Sequence, residues 1–287
     1  MKKLVQWTFN KAGYSLVKSP SLEAERRHAP SVTSLPDIDA QSNEEYRQMS
    51  ERFFGKGMPR DLRNVKLASI YPENDEFFQR CFNALLQTEA EFVQRLIDDQ
   101  AAKGVAGSFV EFGIYQGAWI DRLFRMTESA GLTDRAIYGF DSFKGLSKPH
   151  DRFDVSFWKE GMYAASRAEV ERNLNIAERP RIKLIEGYFK DSLVRKEAKA
   201  VGDVAFARID CDIYEPAKEC LEFLSKRLTH GSILVFDDWT HDYGVGEGRA
   251  FAEWIGTVPH LNFKFLFLGP WDHLHLRVLH RDKTDIF

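Results

Sequence analysis

Carboxylates are the residues of this chain whose placing could do chemistry. Glu111, Asp141, Asp210 and the adjacent pair Asp237 and Asp238 each close a short apolar run. A single acid in that position is ordinarily a turn former or a helix cap. Several at one edge repel one another and need a cation to offset them. Asp237 and Asp238 follow Asp210 by one helix and one strand, so adjacent strand ends would bring the three together. Oxygen-only ligands in this number suit a hard cation, Mg²⁺ or Ca²⁺ with Mn²⁺ as a further candidate, and not zinc. A substrate with two neighbouring oxygens could chelate such an ion. Its hydroxyl would become more acidic, a carboxylate could take the proton, and in-line positioning would supply much of the rate. Asp212 reads as the cap of the helix that opens near Tyr214, or else as a group that supports the ligating acids from behind.

Glu111 and Asp141 belong to a second set. Ser108 to Gly117 is a short apolar stretch that turns at Gly113 and Gly117 into a periodic helix. The two glycines allow a tight turn and a close backbone approach by a ligand. An acid closing the next strand, Asp141, can accept both hydroxyls of a ribose. A dinucleotide site has the same acid but needs G-x-G-x-x-G, so that a pyrophosphate can approach the helix. Here the middle glycine is missing, and Glu111 would repel a pyrophosphate. A ligand carrying positive charge fits instead, such as the amino acid part and sulfonium of S-adenosylmethionine. The pattern favours that methyl donor over NAD.

The elements that must position these residues follow in order. A 3.6-period stripe from Phe78 to Ile97 predicts a helix between Asp75 and Gly104. Strands are predicted at 108–112, 136–141, 181–186, 204–210 and 231–238. Helices are predicted between them, including Ala165 to Ile176, a short one from Ser192 to Ala200, and Gly246 to Trp254. Phe263 to Leu268 and His273 to Leu279 read as a closing antiparallel pair. Strands alternating with helices imply an α/β, mainly parallel sheet covered on both faces. With the terminal hairpin this is the order of a Rossmann-like class I methyltransferase, a seven-stranded sheet over residues 75–287. Residues 1–74 carry breaker chemistry at Lys18–Ser21 and His28–Pro36 and read as an N-terminal extension, a lid or an oligomer contact. A net charge of -3 argues against a nucleic-acid footprint. No run spans a bilayer, and the N-terminus lacks a signal-peptide core. Three unpaired cysteines, Cys81, Cys211 and Cys220, suggest reduced thiols. The expectation is a cytoplasmic homodimer or higher homo-oligomer with no membrane partner, acting on a small molecule.

Val110-Glu-Phe-Gly-Ile-Tyr-Gln-Gly117, Tyr138-Gly-Phe-Asp-Ser-Phe-Lys-Gly-Leu146, Arg208-Ile-Asp-Cys-Asp-Ile-Tyr214 and Val235-Phe-Asp-Asp-Trp239 together resemble the motif series of the macrocin O-methyltransferase family. Those are metal-dependent class I enzymes that methylate sugar hydroxyls on macrolides and related natural products. The resemblance covers about Glu89 to Phe267. It implies donor binding by Glu111, Gly113, Asp141 and Ser142, with Tyr115, Gly117, Phe143 and Gly187 in or beside the same motifs and Asp210 facing them. Tyr188 stands where this fold commonly meets adenine. The resemblance implies metal binding by Asp210, Asp237 and Asp238, with Asp210 also the candidate base. Trp158 and Gly161 look like the family's Trp-x-x-Gly element over the substrate, and Gly248-Arg249-Ala250 like the segment opening the last helix. Pro216 departs from the family's Ser-Thr after Tyr-Glu, which a first helical turn accepts.

Other residues are weighed against plainer roles. His241 is a candidate acid/base or substrate contact, or an exposed loop residue. His273 and His275 share a strand face, and no acid is spaced with them for a metal site. Phe153, Phe157, Trp158 and Tyr163 form either a substrate wall or a packed lid. Cys211 reads as a small buried residue. The reading is an S-adenosylmethionine- and Mg²⁺-dependent O-methyltransferase acting on a sugar or other polyhydroxylated small molecule. Its rivals are a same-fold methyltransferase with a carboxylate or peptide acceptor, an NAD-dependent reductase, and a catalytically silent binding protein.

Overall fold

The computed structural model describes residues 76–239, 244–269, 272–284 and 287, with side chains from 87 onward. The chain divides into two units, Met1–Glu89 and Ala90–Phe287. The division falls inside helix α1 (Glu76–Ala102). The expected roles of the N-terminal extension lie outside the described residues, as does the side chain of Cys81.

The second unit is built on one sheet. Its strands are β1 (Ser108–Phe112), β2 (Ile137–Asp141), β3 (Ile182–Glu186), β4 (Val204–Ile209), β5 (Leu228–Phe236), β6 (Leu261–Leu268) and β7 (Leu274–His280), in the order β3-β2-β1-β4-β5-β7-β6. Strands β1 to β5 run parallel, and β7 lies antiparallel to both β5 and β6. This is the expected architecture. Every residue of β1, β2 and β4 is buried, as a parallel sheet covered on both faces requires. Edge strand β3 exposes Lys183 and Glu186 instead, charges that discourage pairing with another chain. No described helix is long and apolar enough to cross a membrane.

Alternation along the strands sorts the core into two layers. Phe112, Phe140, Ile209 and Phe236 face Leu221, Leu224 and Trp254 on one side. Phe109, Ile137, Phe206 and Ile233 face Ile97, Ile120 and Leu123 on the other. The covering helices are α2 (Ala118–Ser129), α3 (Arg167–Asn173), the short α4 (Phe189–Ser192) and α5 (Lys196–Lys199), α6 (Tyr214–Leu224) and α7 (Gly246–Trp254). The helix predicted from Ser192 to Ala200 is thus two separate turns, and the one predicted from Ala165 stops at Asn173. Strand β5 starts earlier than predicted because Ser232 bonds back to Thr229 and Val204, which holds Leu228 in register with Val204.

The cap of α6 is a correction. Asp212 does not cap it. The Tyr214 amide donates to Asp154 Oδ1 at 2.7 Å, and the same carboxylate accepts the His150 amide at 2.7 Å through Oδ2. Local spacing suggested the nearer acid, but a loop sixty residues upstream supplies the acceptor. Asp154→Ala is expected to cost about 1 kcal/mol, the usual worth of a lost cap. Scanning calorimetry would then show a Tm about 2–4 °C lower. An unchanged Tm would mean that water satisfies the Tyr214 amide equally well.

Candidate active site

Register explains why the acids meet. Arg208 of β4 lies opposite Glu111 of β1 and Val235 of β5. Asp210 and Asp237 stand two residues further along their chains, so Glu111, Arg208, Asp210 and Asp237 share one sheet face. Arg208 Nη1 donates to Glu111 Oε1 at 2.8 Å and also to Asp210 Oδ2, while Nη2 donates to Asp237 Oδ1. The guanidinium lies over the Trp119 ring, 4.6 Å from its centroid. His273 Nε2 stands 2.9 Å from Asp237 Oδ1. No acid is spaced with this histidine in the sequence; β7 pairs with β5 and brings the end of one strand beside the start of the other, which supplies one.

One oxygen from each of Asp210, Asp237 and Asp238 lies within 4.8 Å of the other two. The predicted cation ligands are therefore brought together. Burial, then the neighbouring Asp237 carboxylate, pushes Asp210 up to about 7 against the pull of Arg208. Burial likewise raises Glu111 to about 8, with Arg208 opposing it. At Asp237 burial is outweighed by Arg208 and His273, which hold it well below the usual range. Asp212 and Asp238 are pushed well up, chiefly by burial and then by neighbouring carboxylates. Buried Glu247 is pushed up for the same reason, and then by Asp238. Three of these six acids, Glu111, Asp210 and Asp237, pair with Arg208. The donor set is all oxygen and carries excess negative charge, which fits a hard divalent cation.

Facing the acids is a cleft of about 680 Å³, lined among others by Gly113, Tyr115, Asp141, Ser142, Gly187 and Tyr188 together with Asp210, Asp237 and Asp238. Asp141 Oδ2 accepts the amides of Ile114 at 2.8 Å and Tyr115 at 3.2 Å, and Oδ1 accepts that of Phe143 at 2.6 Å. Its carboxylate ties the β1 loop to the β2 loop as well as facing the cleft. Ser142 Oγ donates to Gly145 O at 2.7 Å and accepts the Lys144 amide at 3.0 Å.

Glu111, Gly117 and Phe143 are not among the residues that line the cleft. Glu111 is buried and accepts from Arg208. Gly117, at φ +89, starts α2 and faces Leu174, whose Cγ would sit 3.0 Å from an added Cβ. Phe143 packs into the core. Gly113, at φ +81, does line the cleft, yet the close approach it permits is to the chain itself. An added Cβ would lie 1.7 Å from the Asp210 carbonyl oxygen.

The long connection after β2 is closed at its neck. Leu146 N donates to Met162 O and Gly161 N to Leu146 O, each at 2.9 Å, making an Ω-type loop. The aromatic cluster divides. Trp158 and Tyr163 line the cleft, and Tyr163 meets Tyr115 edge-on at 5.8 Å. Phe157 backs Trp158 at 4.8 Å. Phe153 is an anchor instead, held between Tyr214 and the Arg249 guanidinium, the latter 3.8 Å from its centroid. His241 lies outside the described residues.

Arg208, His273 and Glu247 were missed as site residues. Arg208 had a signal, since a residue two before a strand-end acid shares its face. Glu247 had none. Its Oε1 accepts the Cys211 amide at 3.4 Å and its Oε2 the Asp238 amide at 3.2 Å, bridging the ends of β4 and β5 from α7. Cys211 is buried, as expected.

The model of the family described as macrocin-O-methyltransferase (TylF) matches residues 87–252. A curated relative of Streptomyces olivaceus, 8-demethyl-8-(2,3-dimethoxy-alpha-L-rhamnosyl)-tetracenomycin-C 4'-O-methyltransferase, is 29% identical over 161 residues, 52% of this chain and 59% of its own. The demethyldecarbamoylnovobiocin O-methyltransferase of Streptomyces niveus is 24% identical over 157 residues, with the same two shares, 52% and 59%. The chain therefore spans less than two thirds of these relatives. The O-methyltransferase NovP superposes with a TM-score of 0.56 at 19% identity, over 67% of this chain and 80% of its own. The calicheamicin methyltransferase CalS11 does so at 0.56 and 23% identity, over 85% and 94%. These likenesses establish the Rossmann-like class I methyltransferase fold. With the family model covering more than half of its length, the chain belongs to the macrocin O-methyltransferase family.

Proposed function

We propose that this protein transfers a methyl group from S-adenosylmethionine to a hydroxyl of a sugar or other polyhydroxylated small molecule, with a divalent cation, Mg²⁺ foremost, at its acids. The observation that carries the reading is the meeting of Asp210, Asp237 and Asp238 in the lining of a cleft that Gly113, Tyr115 and Asp141 also line. The relatives named for methylation of a rhamnosyl tetracenomycin and of a novobiocin precursor support an acceptor of that class.

When bound, the donor supplies an electrophilic methyl on a sulfonium and leaves as a neutral thioether. When bound, the cation makes a chelating hydroxyl more acidic; Asp210, Asp237 and Asp238 would hold it. Asp210 takes the proton of the acceptor hydroxyl as the oxygen lone pair forms the new bond to carbon. Asp141 holds the β1 and β2 loops against the donor's ribose and accepts from its hydroxyls. Gly187 and Tyr188 border the adenine, and Trp158 and Tyr163 wall the acceptor side and exclude water.

The direct test supplies S-adenosylmethionine and MgCl₂ with rhamnosides, nucleotide-activated deoxysugars and glycosylated aromatic polyketides. Release of S-adenosylhomocysteine with an O-methyl ether product is expected. A methyl ester or a methylated peptide would move the acceptor to the rival class. No binding of S-adenosylhomocysteine by calorimetry, with Mg²⁺ present, would leave a silent binding protein. On the donor side, Asp141→Ala is expected to weaken S-adenosylhomocysteine binding by about tenfold or more, since it removes an acceptor of charge-assisted bonds worth about 1.5–3 kcal/mol. Titration calorimetry giving the wild-type Kd would remove Asp141 from the donor site.

A further inference from the structure

The geometry points to Arg208 as a resident counter-cation, a positioning residue that gathers Asp210 and Asp237 when no divalent ion is present, with Glu111 as its anchor. This rests on the reading of the acids as a cation site. Arg208 occupies the central strand of three and reaches one carboxylate from each: Glu111 from β1, Asp210 from β4 and Asp237 from β5. It is buried, and Trp119 covers one flat face of its guanidinium. Buried like charges destabilise the fold unless each is paired. An ion that comes and goes cannot supply that pairing during folding, whereas a guanidinium keeps its charge at any working pH. Its planar fork also fixes where two carboxylates stand, which a point charge does not.

Glu111 then has a role other than the donor contact suggested by its motif. It lies behind the cleft wall and accepts from the same Nη1 that reaches Asp210. It holds the guanidinium under the acids and draws off part of its charge. Two opposite consequences follow. Without Arg208 the acids depend more heavily on a bound ion. Without the Glu111 carboxylate, Arg208 gives more of its charge to Asp210 and Asp237, and the ion gains less.

The test is the Tm of the full chain at pH 9, where Glu111 is a carboxylate, in EDTA and in MgCl₂. Arg208→Met is expected to melt about 10 °C below wild type in EDTA, and MgCl₂ is expected to restore most of the loss, so that its Mg²⁺ shift exceeds the wild-type shift. Glu111→Gln, nearly isosteric, is expected to show a smaller Mg²⁺ shift than wild type. A general loss of packing would move both variants the same way. Should Arg208→Met not fold, Arg208→Lys, which keeps the charge without the fork, must still show a larger shift than wild type. A wild-type shift that the Arg208 variants do not enlarge, or that Glu111→Gln enlarges, overturns this proposal and leaves the cation site standing. No Mg²⁺ shift in any of the proteins overturns both.

Discussion

Asp210→Asn is expected to lower methyl transfer by about 10³-fold, in the range for a lost general base, while S-adenosylhomocysteine binds within about threefold of wild type. The reasons lie in what asparagine keeps and what it loses. It keeps the size of the side chain and an oxygen that accepts from Arg208, as Asp210 Oδ2 does, so the end of β4 stays in place. It loses the negative charge and the ability to take a proton. Burial and Asp237 raise Asp210 while no cation is bound, and a bound cation would oppose that rise. Steady-state turnover and titration calorimetry on the same preparation separate the two quantities. A fall in donor affinity as large as the fall in rate would contradict the division of labour between Asp141 and Asp210.

Gly113→Ala is expected to be among the most damaging single substitutions in the chain, costing more than about 4 kcal/mol. The added Cβ would lie 1.7 Å from the Asp210 carbonyl oxygen and 2.8 Å from its carbon. Neither side can retreat. The Gly113 amide donates to Phe140 O and the Asp210 amide to Phe112 O, each at 2.9 Å, so both segments are pinned to the sheet. The φ of +81 adds backbone strain for any residue with a side chain. Gly161 is the control. Its φ is +79 but an added Cβ meets nothing within 4 Å, so Gly161→Ala should cost only about 1 kcal/mol, the conformational share alone. Urea denaturation measures both. A Gly113→Ala midpoint near that of Gly161→Ala would mean that the β1 turn does not cross the end of β4 so closely.

Much of the fold was legible because its signals are local. Short, largely apolar runs such as Val204–Ile209, interrupted only by Arg208, read as strands covered on both faces, and their alternation with amphipathic helices implies a parallel sheet. The strand-end acids were legible for the same reason. An open parallel sheet sends all those ends to one edge, whatever the loops do, and Asp210, Asp237 and Asp238 do meet there. What failed were inferences from nearness in the chain. Asp212 stood closest to the start of α6, but Asp154 caps it. His273 had no acid at ligand spacing along its strand, but β7 pairs with β5 and delivers it to Asp237.

The sequence by itself determined the strands and helices and their succession along the chain, the edge at which the carboxylates collect and the family motifs that run through them. Each of these depends on residue type and on periods of two or 3.6, which are written in the chain. Only the tertiary structure decided that Glu111 meets Arg208 away from the cleft, while Asp210 and Asp237 both line the cleft and pair with Arg208. That choice depends on the register Glu111–Arg208–Val235 across three strands that are distant in sequence. A one-residue slip would turn every one of those side chains to the other face. Packing across the sheet alone selects the register, and with it the cation that Glu111 meets.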